Sequence, residues 1–68
     1  MTRLLPVGPL RRWMAGAGID PSDLNTADRR VIYRADASGF IAEPLADRIA
    51  LRCGIQLELI YDLVQADL

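Results

Sequence analysis

The run Ala46 to Leu63, ADRIALRCGIQLELIYDL, constrains the fold more than any other stretch, because its small and apolar residues sit where two short helices crossing at a tight turn need them. Ile49 and Cys53 lie four apart on one helical face, and Ala50 is small where a second helix must approach closely. Gly54 supplies the positive φ that ends the first helix, and Ile55 plugs the turn. Ile60 and Leu63 fall on the inner face of a second helix beginning near Gln56 or Leu57. Its outer face is then Leu57, Glu58, Tyr61, Asp62 and Gln65. The pattern predicts a helix-turn-helix.

A chain of 68 residues makes one domain, with a core too small to wall a large cleft. There is no histidine and only one cysteine, so the usual His/Cys metal site, a disulfide framework and a Ser/His or Cys/His nucleophile pair are excluded within one chain. No catalytic residue, metal ligand or cofactor site is expected, and the chain reads as a non-enzyme. The N-terminal apolar run is short and broken by Pro6, Gly8 and Pro9, and no segment approaches the length of a membrane span, which points to a cytoplasmic protein.

All eight basic residues are arginine, so every positive charge can make planar, bidentate contacts to phosphate or guanine. The net charge of −1 hides an uneven distribution. Residues 1–34 hold six arginines against three aspartates, whereas Arg48 and Arg52 alone face six acidic residues in 35–68. The half with the motif is the acidic half.

The rest of the chain reads as helix. Gly8 and Pro9 open a first helix whose stripe is Leu10, Trp13 and Met14, with Trp13 as a core anchor, and Gly16 and Gly18 stop it. Asp20, Pro21 and Ser22 form a capped single turn with Leu24 tucked inward, and Asn25 or Thr26 caps the next helix, which runs to about Ala37. Ala27, Val31, Ile32 and Ala35 face the core there, while Arg29, Arg30, Tyr33 and Arg34 ring the surface. Ser38 and Gly39 end it. Phe40 and Ile41 then lead as a hydrophobic plug into a third helix, whose first turn tolerates Pro44. No internal repeat or linker is visible. The expected fold is all-α: a compact bundle of about four short helices in a single domain, 1–68, with residues 1–8 as an N-terminal arm.

The segment from Arg30 to Leu63, and Ala46 to Leu63 in particular, resembles the small helix-turn-helix proteins of actinobacteria and their bacteriophages, with a motif of the lambda-repressor type. The resemblance covers about half of the chain. It implies a regulatory protein bound to double-stranded DNA, with the helix Glu43 to Arg52 lying across the groove and a helix from Gln56 to about Ala66 entering it. On this pattern Gln56 reaches phosphate or an adenine edge, Leu57 meets a thymine methyl, and Tyr61 and Gln65 reach base or backbone. Glu58 and Asp62 are less suited to that surface, because two carboxylates repel phosphate unless arginines outweigh them. Arg48 with Arg52, and Arg30 with Arg34, are pairs four apart that can clamp backbone phosphates, although Arg48 can also pair with Glu43 or Asp47, and Arg30 with Asp23 or Asp28. Arg11 and Arg12, next to the N-terminal segment, are an additional candidate pair that could act as an arm. Cys53 fills a motif position that takes apolar side chains and is expected as a small buried hydrophobe.

Two functions follow. The first is a transcriptional regulator reading the major groove with its last helix, as a homodimer formed through that helix, because Leu57, Leu59, Tyr61 and Val64 leave surplus apolar surface. The alternative is a protein-binding module whose acidic, apolar last helix docks on a host or phage regulatory protein.

Overall fold

The computed structural model describes residues 2–62. Strand β1 (Leu4–Pro6) leads directly into α1 (Val7–Gly16), followed by a 3₁₀ turn at Pro21–Asp23 and helix α2 (Thr26–Ser38). Strand β2 (Phe40–Ala42) then leads directly into α3 (Glu43–Arg52), and a second 3₁₀ turn covers Leu57–Leu59. The strands pair antiparallel in the register Leu4↔Ala42, Leu5↔Ile41, Pro6↔Phe40. The all-α bundle expected from the sequence is therefore corrected: three helices pack around a two-stranded ribbon. The N-terminal arm is corrected with it, since residues 4–6 are a strand and α1 begins at Val7.

The ribbon solves a capping problem. Neither α1 nor α3 has a side-chain cap, yet Val7 N–H donates to Gly39 C=O at 3.0 Å and Glu43 N–H to Arg3 C=O at 2.8 Å. Each helix thus offers its first orphan amide to the residue just before the opposite strand. Leu5 and Ile41 oppose each other with their side chains in the core. The outer edges are blocked. Pro6 has no N–H and its carbonyl accepts the Tyr61 hydroxyl, while Ser38 Oγ accepts Phe40 N–H at 3.3 Å and lies 3.1 Å from Phe40 C=O, within donating distance.

The two strand–helix–turn segments are copies of one another. Adding 36 to each boundary of β1, α1 and the first 3₁₀ turn gives the boundaries of β2, α3 and the second. The turn geometry repeats too: Ala17 N–H reaches Trp13 and Met14, and Gly18 at φ +74° is followed by Ile19 N–H to Met14. Cys53 N–H correspondingly reaches Ile49 and Ala50, and Gly54 at φ +87° is followed by Ile55 N–H to Ala50. Only Arg12/Arg48, Gly18/Gly54 and Ile19/Ile55 are identical between residues 4–25 and 40–61, which is why the repeat is invisible in the sequence. Buried positions repeat with exchanged volumes. Leu10 and Met14 of the first unit correspond to Ala46 and Ala50 of the second, so bulk in one is matched by a small residue in the other.

Helix α2 joins the units. Asn25 Oδ1 caps it by accepting Asp28 N–H at 2.8 Å, and Gly39, left-handed at φ +89°, ends it. The preceding turn is closed by a capping box in which Asp20 accepts from Ser22 N–H and Asp23 accepts from Asp20 N–H, both at 2.9 Å. Ile32 and Ala35 are buried as expected, and Val31 is partly buried, but Ala27 is exposed, and the position that turns inward in the first turn is Asp28. Trp13 packs partly buried against the core.

Candidate nucleic-acid interface

The residues expected to read DNA do not share a surface. Leu57 is 1% exposed and Tyr61 8% exposed, so both belong to the core. The reason is the backbone of this segment. Leu57–Leu59 is a 3₁₀ turn, whose tighter winding carries Leu57 inward instead of outward, and Tyr61 folds back so that its hydroxyl donates to Pro6 C=O. Burial pushes the Tyr61 hydroxyl pKa up, opposed by the Leu10 backbone N–H and the positive charge of Arg12. Gln56 is exposed at the start of the turn, and Glu58 and Asp62 are exposed with it. The expected groove-entering helix from Gln56 to about Ala66 is corrected in its first half, which is a three-residue 3₁₀ turn and not an α-helix; its second half, with Leu63, Val64, Gln65 and the expected dimer contact, lies outside the described residues.

Arg48 and Arg52 converge on one fully buried carboxylate. Arg52 Nη1 donates to Asp28 Oδ2 at 2.7 Å, and Arg48 Nη2 lies 3.4 Å from Oδ1, which accepts no hydrogen bond. Asp28 is thus neutralised from α3, and the local pairing of Arg48 with Glu43 or Asp47 is replaced by one 20 positions away. Both guanidiniums keep one edge in solvent, their side chains being 43% and 48% exposed. Sequence spacing could not find Asp28, although an aspartate at the third position of a capped helix is a recognisable counter-ion. Cys53, expected as a buried small hydrophobe, is only partly buried, packed against the core, and desolvation together with the Asp28 carboxylate pushes its thiol up.

Helix α2 has an outer face of its own. Thr26, Arg30, Tyr33, Arg34 and Ala37 are exposed and recur at three- and four-residue spacing along its outer face. Arg30 and Arg34 form no ion pair among the described residues. Beside them, Arg29 Nη2 donates to Leu24 C=O at 3.2 Å. The one exposed acid of the helix, Asp36, accepts from Arg11 Nε of α1 at 3.1 Å. Arg11 is therefore a helical residue tied to α2, not part of an arm. Arg34 also edges a small cleft of about 120 Å³ with Val31, Phe40 and Leu45, well below the roughly 300–1,000 Å³ of a small-molecule site. Among the described residues no helix is long and apolar enough to cross a membrane. The 13 residues of α2 give a rod of roughly 20 Å.

No family model, no curated protein and no solved structure matches the chain.

Proposed function

We propose that the protein binds double-stranded DNA as a small cytoplasmic regulator and that α2, not the segment after Gly54, is the helix laid in the major groove. The observation that supports this is the outer face of α2: two arginines without carboxylate partners among the described residues, an exposed tyrosine between them, and small residues at Thr26 and Ala37 that let the backbone approach closely. Arginine and tyrosine on one helical face contact phosphates and base edges together, and each arginine can take guanine O6 and N7 bidentately. The protein acts by binding and needs no catalytic group.

The test is a mobility-shift titration of duplex DNA across a salt series with wild type and the Arg30→Ala/Arg34→Ala double variant. Wild-type binding that weakens steeply with salt, and its loss in a folded double variant, supports the reading. Equal binding by both proteins defeats it.

A protein-binding role has its own support. Leu59 is 73% exposed between Glu58 and Asp62, an acidic and apolar knob suited to a basic, hydrophobic protein surface. It lies on the second unit, whereas the arginine face lies on α2, so the two activities are separable by mutation.

A further inference from the structure

Both carboxylates of α2 are paired with arginines from other helices. Asp28 meets Arg48 and Arg52 of α3, and Asp36 meets Arg11 of α1, while none of α2's own Arg29, Arg30 and Arg34 is in an ion pair among the described residues. Asp28 is buried. Asp36 is different: its side chain is 35% exposed, and it lies three residues from Tyr33, where side chains of a helix are neighbours. Left alone it would place a negative charge at the border of the arginine face and repel phosphate. Arg11 Nε of α1 approaches Asp36 Oδ1 at 3.1 Å.

We propose that Arg11 is a masking residue, neutralising Asp36 so that a phosphate backbone meets only positive charge along α2. The proposal rests on the assignment of α2 as the DNA-binding helix. It gives Arg11 an indirect role: it sets affinity through Asp36 without itself touching DNA.

A double-mutant cycle on the full chain tests it, using Arg11→Ala, Asp36→Asn and the pair, with a random-sequence duplex at low salt as the probe and far-UV circular dichroism as the fold control. An ion pair with both side chains about one third exposed contributes too little for its loss to unfold the domain. Arg11→Ala should weaken binding roughly fivefold, Asp36→Asn should stay within about twofold of wild type, and the double variant should recover to within about twofold. An equal loss from Arg11→Ala in both backgrounds overturns the proposal, because Arg11 then contacts DNA directly. No loss in either background overturns it as well, since Asp36 is then remote from bound DNA. If Arg30→Ala/Arg34→Ala abolishes binding while the cycle shows no coupling, masking alone falls; if wild type binds no DNA, the α2 assignment falls and takes masking with it.

Discussion

Arg12 and Arg48 occupy equivalent positions in the two strand–helix–turn units, yet among the described residues only Arg48 faces a carboxylate, Asp28 Oδ1 at 3.4 Å. The second arginine on that carboxylate, Arg52, makes the shorter contact and the only true hydrogen bond, at 2.7 Å. The two should differ in worth. Arg52→Ala is expected to destabilise the fold by about 1–2 kcal/mol, because it leaves a buried charge with a weak partner, and Arg48→Ala by under about 1 kcal/mol, both discounted because the guanidiniums are half in water. Urea unfolding of the two variants checks this. A larger loss for Arg48→Ala would mean that Oδ1 carries the pair.

The repeated turn glycines provide a test of the internal symmetry. Gly18 and Gly54 have φ of +74° and +87°, and a Cβ on either would meet nothing within 4 Å, so substitution costs only backbone strain. Alanine at either site should cost about 1–2 kcal/mol, and the two costs should agree within a few tenths. Thermal unfolding resolves the difference, since about 1 kcal/mol shifts the midpoint by roughly 4–8 °C in a domain of this size. Strongly unequal losses would show that the two turns differ energetically despite their shared geometry.

Tyr61 and Asp20 define opposite limbs of a pH profile. Burial raises the Tyr61 pKa in the folded state, so its contribution is complete below about 10, the ordinary value, and is lost as pH rises through the folded value. Hydrogen bonds from the Ser22 hydroxyl and backbone N–H lower the Asp20 pKa, so its contribution is present above the ordinary carboxylate value and is lost as pH falls through the lowered one. Tyr61→Phe should flatten the alkaline limb and cost about 0.5–1.5 kcal/mol at neutral pH, through the lost bond to Pro6. Asp20→Asn should flatten part of the acid limb. Midpoint temperatures measured across pH read both, and an alkaline limb unchanged in Tyr61→Phe would remove Tyr61 as its source.

The arginine face and the acidic knob should separate cleanly. Arg30→Ala and Arg34→Ala should each reduce the salt slope of DNA binding by about 1 while leaving thermal stability unchanged. Leu59→Lys, on an exposed side chain, should leave both DNA binding and folding unaltered while disrupting any partner held at Glu58 and Asp62. A marked rise in DNA affinity for Leu59→Lys, from the added positive charge, would place the nucleic acid on the second unit after all.

The chain announced α1, α2 and α3, but the helix it suggested after Gly54 is a 3₁₀ turn, and its faces were read poorly. Asn25 and Gly39 marked the ends of α2, and Pro44 and Gly54 framed α3, because caps and breakers act through residues close in sequence. Strands of three residues hold no readable alternation, so Leu4–Pro6 and Phe40–Ala42 resembled an arm and a plug. Leu57 and Tyr61 were placed outward by helical arithmetic that a 3₁₀ turn does not obey. The proposed site was only partly legible. Arg30 and Arg34 could be named from their spacing, but that Asp28 and Asp36 are occupied by arginines 20 to 25 residues away could not be read from it.

The ribbon also sets how fast this molecule assembles. Each unit's helix and turns form from contacts within about a dozen residues, but Leu5 meets Ile41 and Tyr61 meets Pro6 only after most of the chain has been gathered in, the latter across 55 positions. The entropy of closing those loops has to be spent before the reward arrives, so docking of the two halves is the slow event and refolding should be slower than for a helical bundle of the same length. In stopped-flow kinetics, Ile41→Val should leave the refolding arm nearly untouched and accelerate unfolding, which is the signature of a seam that closes last.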